Sequence, residues 1–145
     1  MYKSILIPTD GSDFCERAIQ QGVSLAKMMG AKVVAVTVTQ PLHTGIPRSL
    51  IPDNLLSTVE NEIVKQANAN LAGAERAAKA AGVPIETVRV SRDHPWEGIV
   101  HTAKDKGCDL IVMASHGRRG VSAVILGSET QKVLVHSTVP VLVVR

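Results

Sequence analysis

Apolar residues follow two alternating rhythms along this chain. Short, nearly continuous apolar runs at Lys3–Pro8, Lys32–Val38, Ile85–Val90, Leu110–Met113 and Val139–Val144 alternate with longer stretches whose apolar residues recur every three or four positions. The runs predict strands buried on both faces, and their alternation with helices predicts βαβ units on a parallel sheet. A first helix is expected over Asp13–Met29, burying Phe14, Ala18, Leu25, Ala26 and Met29, with Met28 and Met29 filling core space and Gly30 as C-cap. The second is expected from near Pro52 to Ala81, with Leu56, Val59, Ile63, Ala67, Leu71, Ala74 and Ala78 on one face. Its length predicts packing along the whole sheet. The third opens at Asp93 or His94, takes Pro95 into its first turn and repeats Trp96, Ile99, Val100 and Ala103, which makes Trp96 a packing residue. The fourth follows Gly127, where Ser128-Glu129-Thr130-Gln131 has capping-box spacing.

These elements predict one α/β domain over residues 1–145, a doubly wound parallel sheet of five strands in the order 3-2-1-4-5. That order sets strands one and four side by side where the winding reverses, and open sheets of this kind bind ligands there. At 145 residues and 45% hydrophobic content the chain can bury a core without disulfides or metals. Aromatic content of 2% leaves the core to aliphatic residues and argues against nucleic-acid binding by base stacking. The net charge of +3 arises from 16 basic and 13 acidic residues without a like-charge run, so a polyanion partner is not indicated. Cys15 and Cys108 lie in apolar surroundings and read as buried thiols. His43, His94, His101 and His136 have no ligand spacing, so no metal site is expected. The first apolar stretch is too short for a secretory segment and none approaches a membrane span, so the expectation is a cytoplasmic protein without membrane contact.

Two segments fall at strand carboxyl ends. In Pro8-Thr9-Asp10-Gly11-Ser12-Asp13, Asp10 can accept hydrogen bonds from ribose hydroxyls or a base edge. The same segment also reads as a turn with an N-cap, because Asp13 and Glu16 have the spacing that satisfies free helix amides. The second segment, Met113-Ala114-Ser115-His116-Gly117-Arg118-Arg119-Gly120, continues to Gly127-Ser128. Its glycines let backbone amides approach a polyphosphate at a helix N-terminus, although Gly127 and Ser128 also suit a plain helix start. Arg118 and Arg119 read as a phosphate clamp or as solvated charge. The irregular Thr39–Ile51 stretch follows strand two, where long loops often cover ligands.

The opening Lys3-Ser4-Ile5-Leu6-Ile7-Pro8-Thr9-Asp10-Gly11-Ser12, the Cys108–Met113 strand, Ser115-His116-Gly117, Gly127-Ser128 and the closing Val139–Val144 run together resemble the universal stress protein family across essentially the whole chain. ATP-binding members carry a pattern similar to G-x2-G-x9-G-[S/T]. Gly117, nine residues and Gly127-Ser128 fit it, while Ala114 replaces the first glycine. The resemblance implies that Pro8, Thr9, Asp10 and Val38 surround adenine and ribose, and the expected nucleotide-binding set also includes Met113, Ala114, His116 and Arg118. It also implies that phosphates meet Gly117, Gly127, Ser128 and Glu129. ATP with Mg²⁺ is the implied ligand. Ala114 is compatible with it if its φ is negative and its Cβ points aside. His116 resembles the family's turn histidine, and no neighbouring carboxylate makes it a general base.

Strand five is apolar until Arg145, and as an edge strand it invites pairing with a second copy, the homodimer that the resemblance also implies. A pyrophosphatase-loop enzyme would carry S-G-G-x-D-S after strand one, and Pro8-Thr9-Asp10-Gly11-Ser12 lacks the paired glycines. Three functions remain: an ATP-binding regulatory module of a stress response, a slow ATPase, and a nucleotide-free dimeric interaction protein.

Overall fold

In the structure, a computed structural model, residues 1–118 and 125–145 are described. The apolar runs become five parallel strands, β1 (Ser4–Pro8), β2 (Lys32–Thr39), β3 (Ile85–Ser91), β4 (Leu110–Ala114) and β5 (Val141–Val144); β1 and β4 are buried on both faces as expected, whereas the edge strands are not, with Glu86, Thr87 and Arg89 of β3 and Leu142 of β5 exposed. Their order is β3-β2-β1-β4-β5, as the alternation of elements predicts. Ile5 stands opposite Val33 on one side and Leu110 on the other, so β1 is central, and Ile111 stands opposite Val141. β5 begins two residues later than the apolar run, because the Val139 amide bonds to the Ser137 hydroxyl in a turn and Pro140 has no N–H to give a ladder.

Strand alternation divides the core in two. Ile5, Ile7, Val33, Ala35, Leu110, Val112 and Ala114 face α1 (Asp13–Met29) and α2 (Asp53–Ala81). Leu6, Val34, Val36, Ile111 and Met113 face α3 (Pro95–Asp105) and α4 (Ser128–His136). Gly30 ends α1 and Gly82 ends α2, both in the left-handed region.

The helices depart from expectation at identifiable points. The N-cap of α1 is Ser12, whose hydroxyl accepts from the Cys15 amide; Asp13 is the first helical residue, one place too late to cap. Phe14 is 43% exposed at the ligand end of the sheet and packs against His116 rather than the core, with ring centroids 5.6 Å apart. Met28 is 84% exposed, on the solvent side of the last turn, while Leu25 and Met29 are half-buried. At α4 the N-cap is Gly127, so the Ser128 hydroxyl does not cap and Gln131 instead donates to the Leu126 carbonyl at 2.6 Å. α2 does not pack along its full length. Its 29 residues reach about 43 Å, well beyond strands of four to eight residues. Asn70 sits level with the carboxyl end of β1, so the part preceding it overshoots the sheet, leaving Leu55 and Val64 exposed and Val59 and Ile63 half-buried, although Leu56 and Ala67 are buried as expected. Among the described residues no helix is long and apolar enough to cross a membrane.

Candidate functional site

A crevice of about 600 Å³ opens where β1 and β4 end side by side. Pro8, Thr9 and Asp10 form its floor after β1, and Val38 contributes from β2. Met113 and Ala114 come from the end of β4, followed by His116, Gly117 and Arg118. Gly127, Ser128 and Glu129 enter from the first turn of α4. All twelve residues of the expected nucleotide-binding set therefore line one crevice. Arg119 and Gly120 lie outside the described residues.

Asp10 staples the two loops. One carboxylate oxygen accepts from the Ser12 amide at 2.9 Å and the Cys15 thiol at 3.2 Å, and the other accepts from the Arg118 amide at 2.8 Å. Burial alone would raise its pKa, but these donors outweigh it and hold the carboxyl below its ordinary value. Burial, reinforced by the Asp10 charge, pushes the Cys15 thiol up, so this free cysteine stays a neutral donor. Between them Gly11 adopts φ +78°, a conformation that favours glycine, which turns the chain sharply into α1.

The second loop is closed on itself by side chains and backbone. His116 is buried; its Nδ1 faces the Ser115 hydroxyl at 3.0 Å and its Nε2 faces the Ile125 carbonyl. A carbonyl can only accept, so Nε2 carries the proton and the ring is a structural bridge across the loop. The Gly127 amide donates to the Ser115 carbonyl at 2.8 Å, and the buried Thr130 hydroxyl donates to the Ala114 carbonyl at 3.0 Å. A Cβ on Gly127 would stand 2.9 Å from the Ser115 oxygen, and one on Gly117 would stand 2.6 Å from an Asp10 carboxylate oxygen. Both glycines are thus required by close approach.

Ala114, which replaces a glycine of the family pattern, adopts no positive φ; none of the described non-glycine residues does. It is 5% exposed and belongs to the cluster beneath α1, while its neighbour Met113 belongs to the opposite one. Its methyl is a core group.

The crevice is chemically divided. Val36, Val38, Ile99, Met113 and two prolines, Pro8 and Pro95, supply an apolar end, and the first turn of α4 with Gly117 and Arg118 supplies amides, a positive dipole end and a cation. An apolar slot joined to an anion cradle suits a ligand with a flat apolar body and a negative tail. Glu129 contributes backbone only, because its carboxylate accepts from the Trp96 amide at 2.9 Å and pairs with Lys132 at 3.2 Å. Trp96 in turn stacks on His136, with ring centroids 4.3 Å apart, which fixes α3 against α4. Sequence reasoning missed Cys15, Val36, Gln40, His94, Pro95, Ile99 and Thr130 on the wall. Gln40 and His94 follow the carboxyl ends of β2 and β3, and that position was the available signal. Of the 39–51 loop only Gln40 lines the crevice among the described residues, and Leu42, Ile46 and Leu50 are exposed, so the loop does not cover the crevice.

The fold and crevice define a doubly wound α/β domain with an open crevice at its topological switch point. The family model described as "Universal stress protein family" matches residues 1–145, and the chain belongs to that family. Universal stress protein YxiE of Bacillus subtilis (strain 168) is 36% identical over 152 residues, with both chains fully covered. Universal stress protein MJ0577 of Methanocaldococcus jannaschii is 27% identical over 158 residues, spanning 100% of this chain and 96% of its own. The solved MJ0577 structure superposes with a TM-score of 0.82 at 29% identity, over 99% of this chain and 96% of that one. A universal stress protein solved in complex with cAMP superposes with a TM-score of 0.73 at 27% identity, covering 99% and 97%.

Proposed function

We propose that this protein binds an adenine nucleotide, ATP by preference, and acts as a nucleotide-dependent regulatory module of a stress response, as a cytoplasmic homodimer joined through β5. The observation that carries this reading is the single crevice in which an apolar slot meets Gly117, Arg118, Gly127 and the N-terminus of α4. Its volume of about 600 Å³ lies within the range of small-molecule sites. The cAMP complex of a relative supports the adenine nucleotide class. Mg²⁺ belongs to this reading as the counter-ion of the triphosphate, and no group of described His, Cys, Asp or Glu residues forms a metal site of its own.

A binding role is favoured over rapid hydrolysis by the state of the two described carboxylates at the crevice. Asp10 is held by three protein donors, and Glu129 is turned onto Trp96 and Lys132, so neither is placed to orient a water at a γ-phosphate. The dimer is supported by the edge position of β5, which pairs with β4 alone among the described residues, and by the 42% exposure of Leu142. The test is the thermal stability of nucleotide-stripped protein across an ATP and Mg²⁺ titration. Ligand at 100 times Kd adds about 2.7 kcal/mol to stability. A saturable rise with negligible turnover supports the module, a rise with rapid release of phosphate supports the ATPase, and no rise with any adenine nucleotide leaves the nucleotide-free interaction protein.

A further inference from the structure

Asn70 lies in the interior of α2, far in sequence from both loops of the crevice, yet it sits directly behind them. Its Oδ1 accepts from Arg118 Nη2 at 3.1 Å and from Gln66 Nε2 at 2.9 Å. Its Nδ2 faces the buried Thr37 hydroxyl of β2 at 3.3 Å, and its backbone carbonyl accepts from the Thr9 hydroxyl at 3.5 Å. The Thr9 oxygen in turn accepts from the Gly11 amide at 3.1 Å. Two donors on one side of the amide and a hydroxyl on the other fix which way it points: oxygen toward Arg118, nitrogen toward the sheet.

Asparagine is a poor helix-interior residue and gains nothing at this position from burial of apolar surface. Its contacts explain its presence. A neutral amide orders the Arg118 guanidinium at the rim without neutralising its charge, and among the described residues the guanidinium pairs with no carboxylate. An aspartate there would order it equally well but cancel the charge that a polyphosphate requires. The Arg118 backbone is already fixed, since its amide donates to Asp10. Arg118 is therefore held at both ends, by Asp10 through the amide and by Asn70 through the side chain.

We propose that Asn70 is a positioning residue for the anionic tail of the ligand: it preorganises Arg118 as an un-neutralised cation beside the Gly117 and Gly127 cradle and ties α2 to that cation. The proposal rests on the adenine-nucleotide reading of the crevice and deepens it, assigning recognition of the phosphates, as distinct from the nucleoside, partly to a helix outside the loops.

The experiment measures ATP and adenosine affinities of the full-length protein by calorimetry, for the unaltered chain and for Asn70→Asp, Asn70→Ala, Arg118→Ala and the Asn70→Ala/Arg118→Ala double variant. Thermal melts without ligand verify that each is folded. Asn70→Asp should weaken ATP about tenfold through charge cancellation beside the triphosphate, and Asn70→Ala about fivefold through the cost of ordering a free arginine. Both should leave adenosine within about twofold, and Asn70→Ala should have no further effect once Arg118 is alanine. ATP affinity unchanged in Asn70→Asp, equal losses for ATP and adenosine, or additive effects in the double variant would overturn the proposal while leaving the nucleotide reading standing. Failure of the unaltered protein to bind ATP overturns both.

Discussion

Replacing Ala114 with glycine restores the family's first motif glycine and separates two accounts of that position. If the alanine methyl narrowed the ligand crevice, removing it would improve binding. The structure assigns the methyl to the core beneath α1, and the negative φ of Ala114 makes glycine unnecessary. Deleting one buried methyl costs about 0.8 kcal/mol. The added backbone freedom of glycine inside a strand costs roughly a further 0.5 to 1 kcal/mol. Ala114→Gly should therefore lose about 1.5 kcal/mol in urea denaturation, with an unchanged m-value. For 145 residues the unfolding entropy near the midpoint converts this to a fall of about 5 °C in Tm. ATP affinity, measured by calorimetry on the same preparations, should stay within about twofold, a difference of roughly 0.4 kcal/mol. A tenfold gain in affinity would show that alanine obstructs the site, and a variant as stable as the parent would refute the placement of this methyl in the core.

Three further outcomes test other parts of the structure. Gly127→Ala places a Cβ 2.9 Å from the Ser115 carbonyl oxygen and strains the Gly127 amide bond that closes the loop, so it should cost about 1 to 3 kcal/mol in urea denaturation and weaken ATP; retention of both stability and affinity would show that the loop is not closed there. Asp10 has a folded pKa below its unfolded value, so the stability it confers is fully present above the ordinary carboxylate range, about pH 4, and is lost as pH falls through the lowered folded value. The stability difference between the parent chain and Asp10→Asn, followed by denaturation from neutral to acid pH, should shrink toward the acid end, and a difference independent of pH would remove the charge from the account. Leu142→Lys places a cation on the open edge of β5 and should convert dimer to monomer in light scattering, whereas an undisturbed dimer would locate the interface elsewhere.

Strand order and the place of the crevice were legible because the central runs are continuous and apolar, as strands buried on both faces require, while Ile85–Val90, interrupted by Glu86, Thr87 and Arg89, becomes a partly exposed edge strand. Periodicity misled where it could not see direction. Phe14 has core spacing, but it stands in the first turn of α1, where the helix faces the ligand loops, so it meets His116 instead of a strand. Met28 stands on the solvent side beside the half-buried Met29, since adjacent helical residues are about 100° apart and only one of the pair can turn inward. Ser128 has capping-box spacing with Gln131, yet the chain enters α4 one residue earlier because the Gly127 amide is already tied to Ser115.

The site was legible in its glycines and not in its supports. Gly127 announces itself because its backbone closely approaches that of Ser115, and Gly117 because a side chain there would meet the Asp10 carboxylate. Gln40, His94 and Asn70 come from other strand ends or from a helix interior, where glutamine, histidine and asparagine are ordinary surface residues until topology sets them against the crevice or behind its cation. Asn70 carries the sharper lesson. A polar residue in the middle of a long helix is unremarkable if that helix ends in solvent, and becomes chemically specific only when the helix outreaches the sheet and passes behind the ligand loops. Since α2 outreaches the sheet because 29 residues cannot fit beside strands of eight or fewer, the length of the helix and the position of its asparagine are one feature read twice.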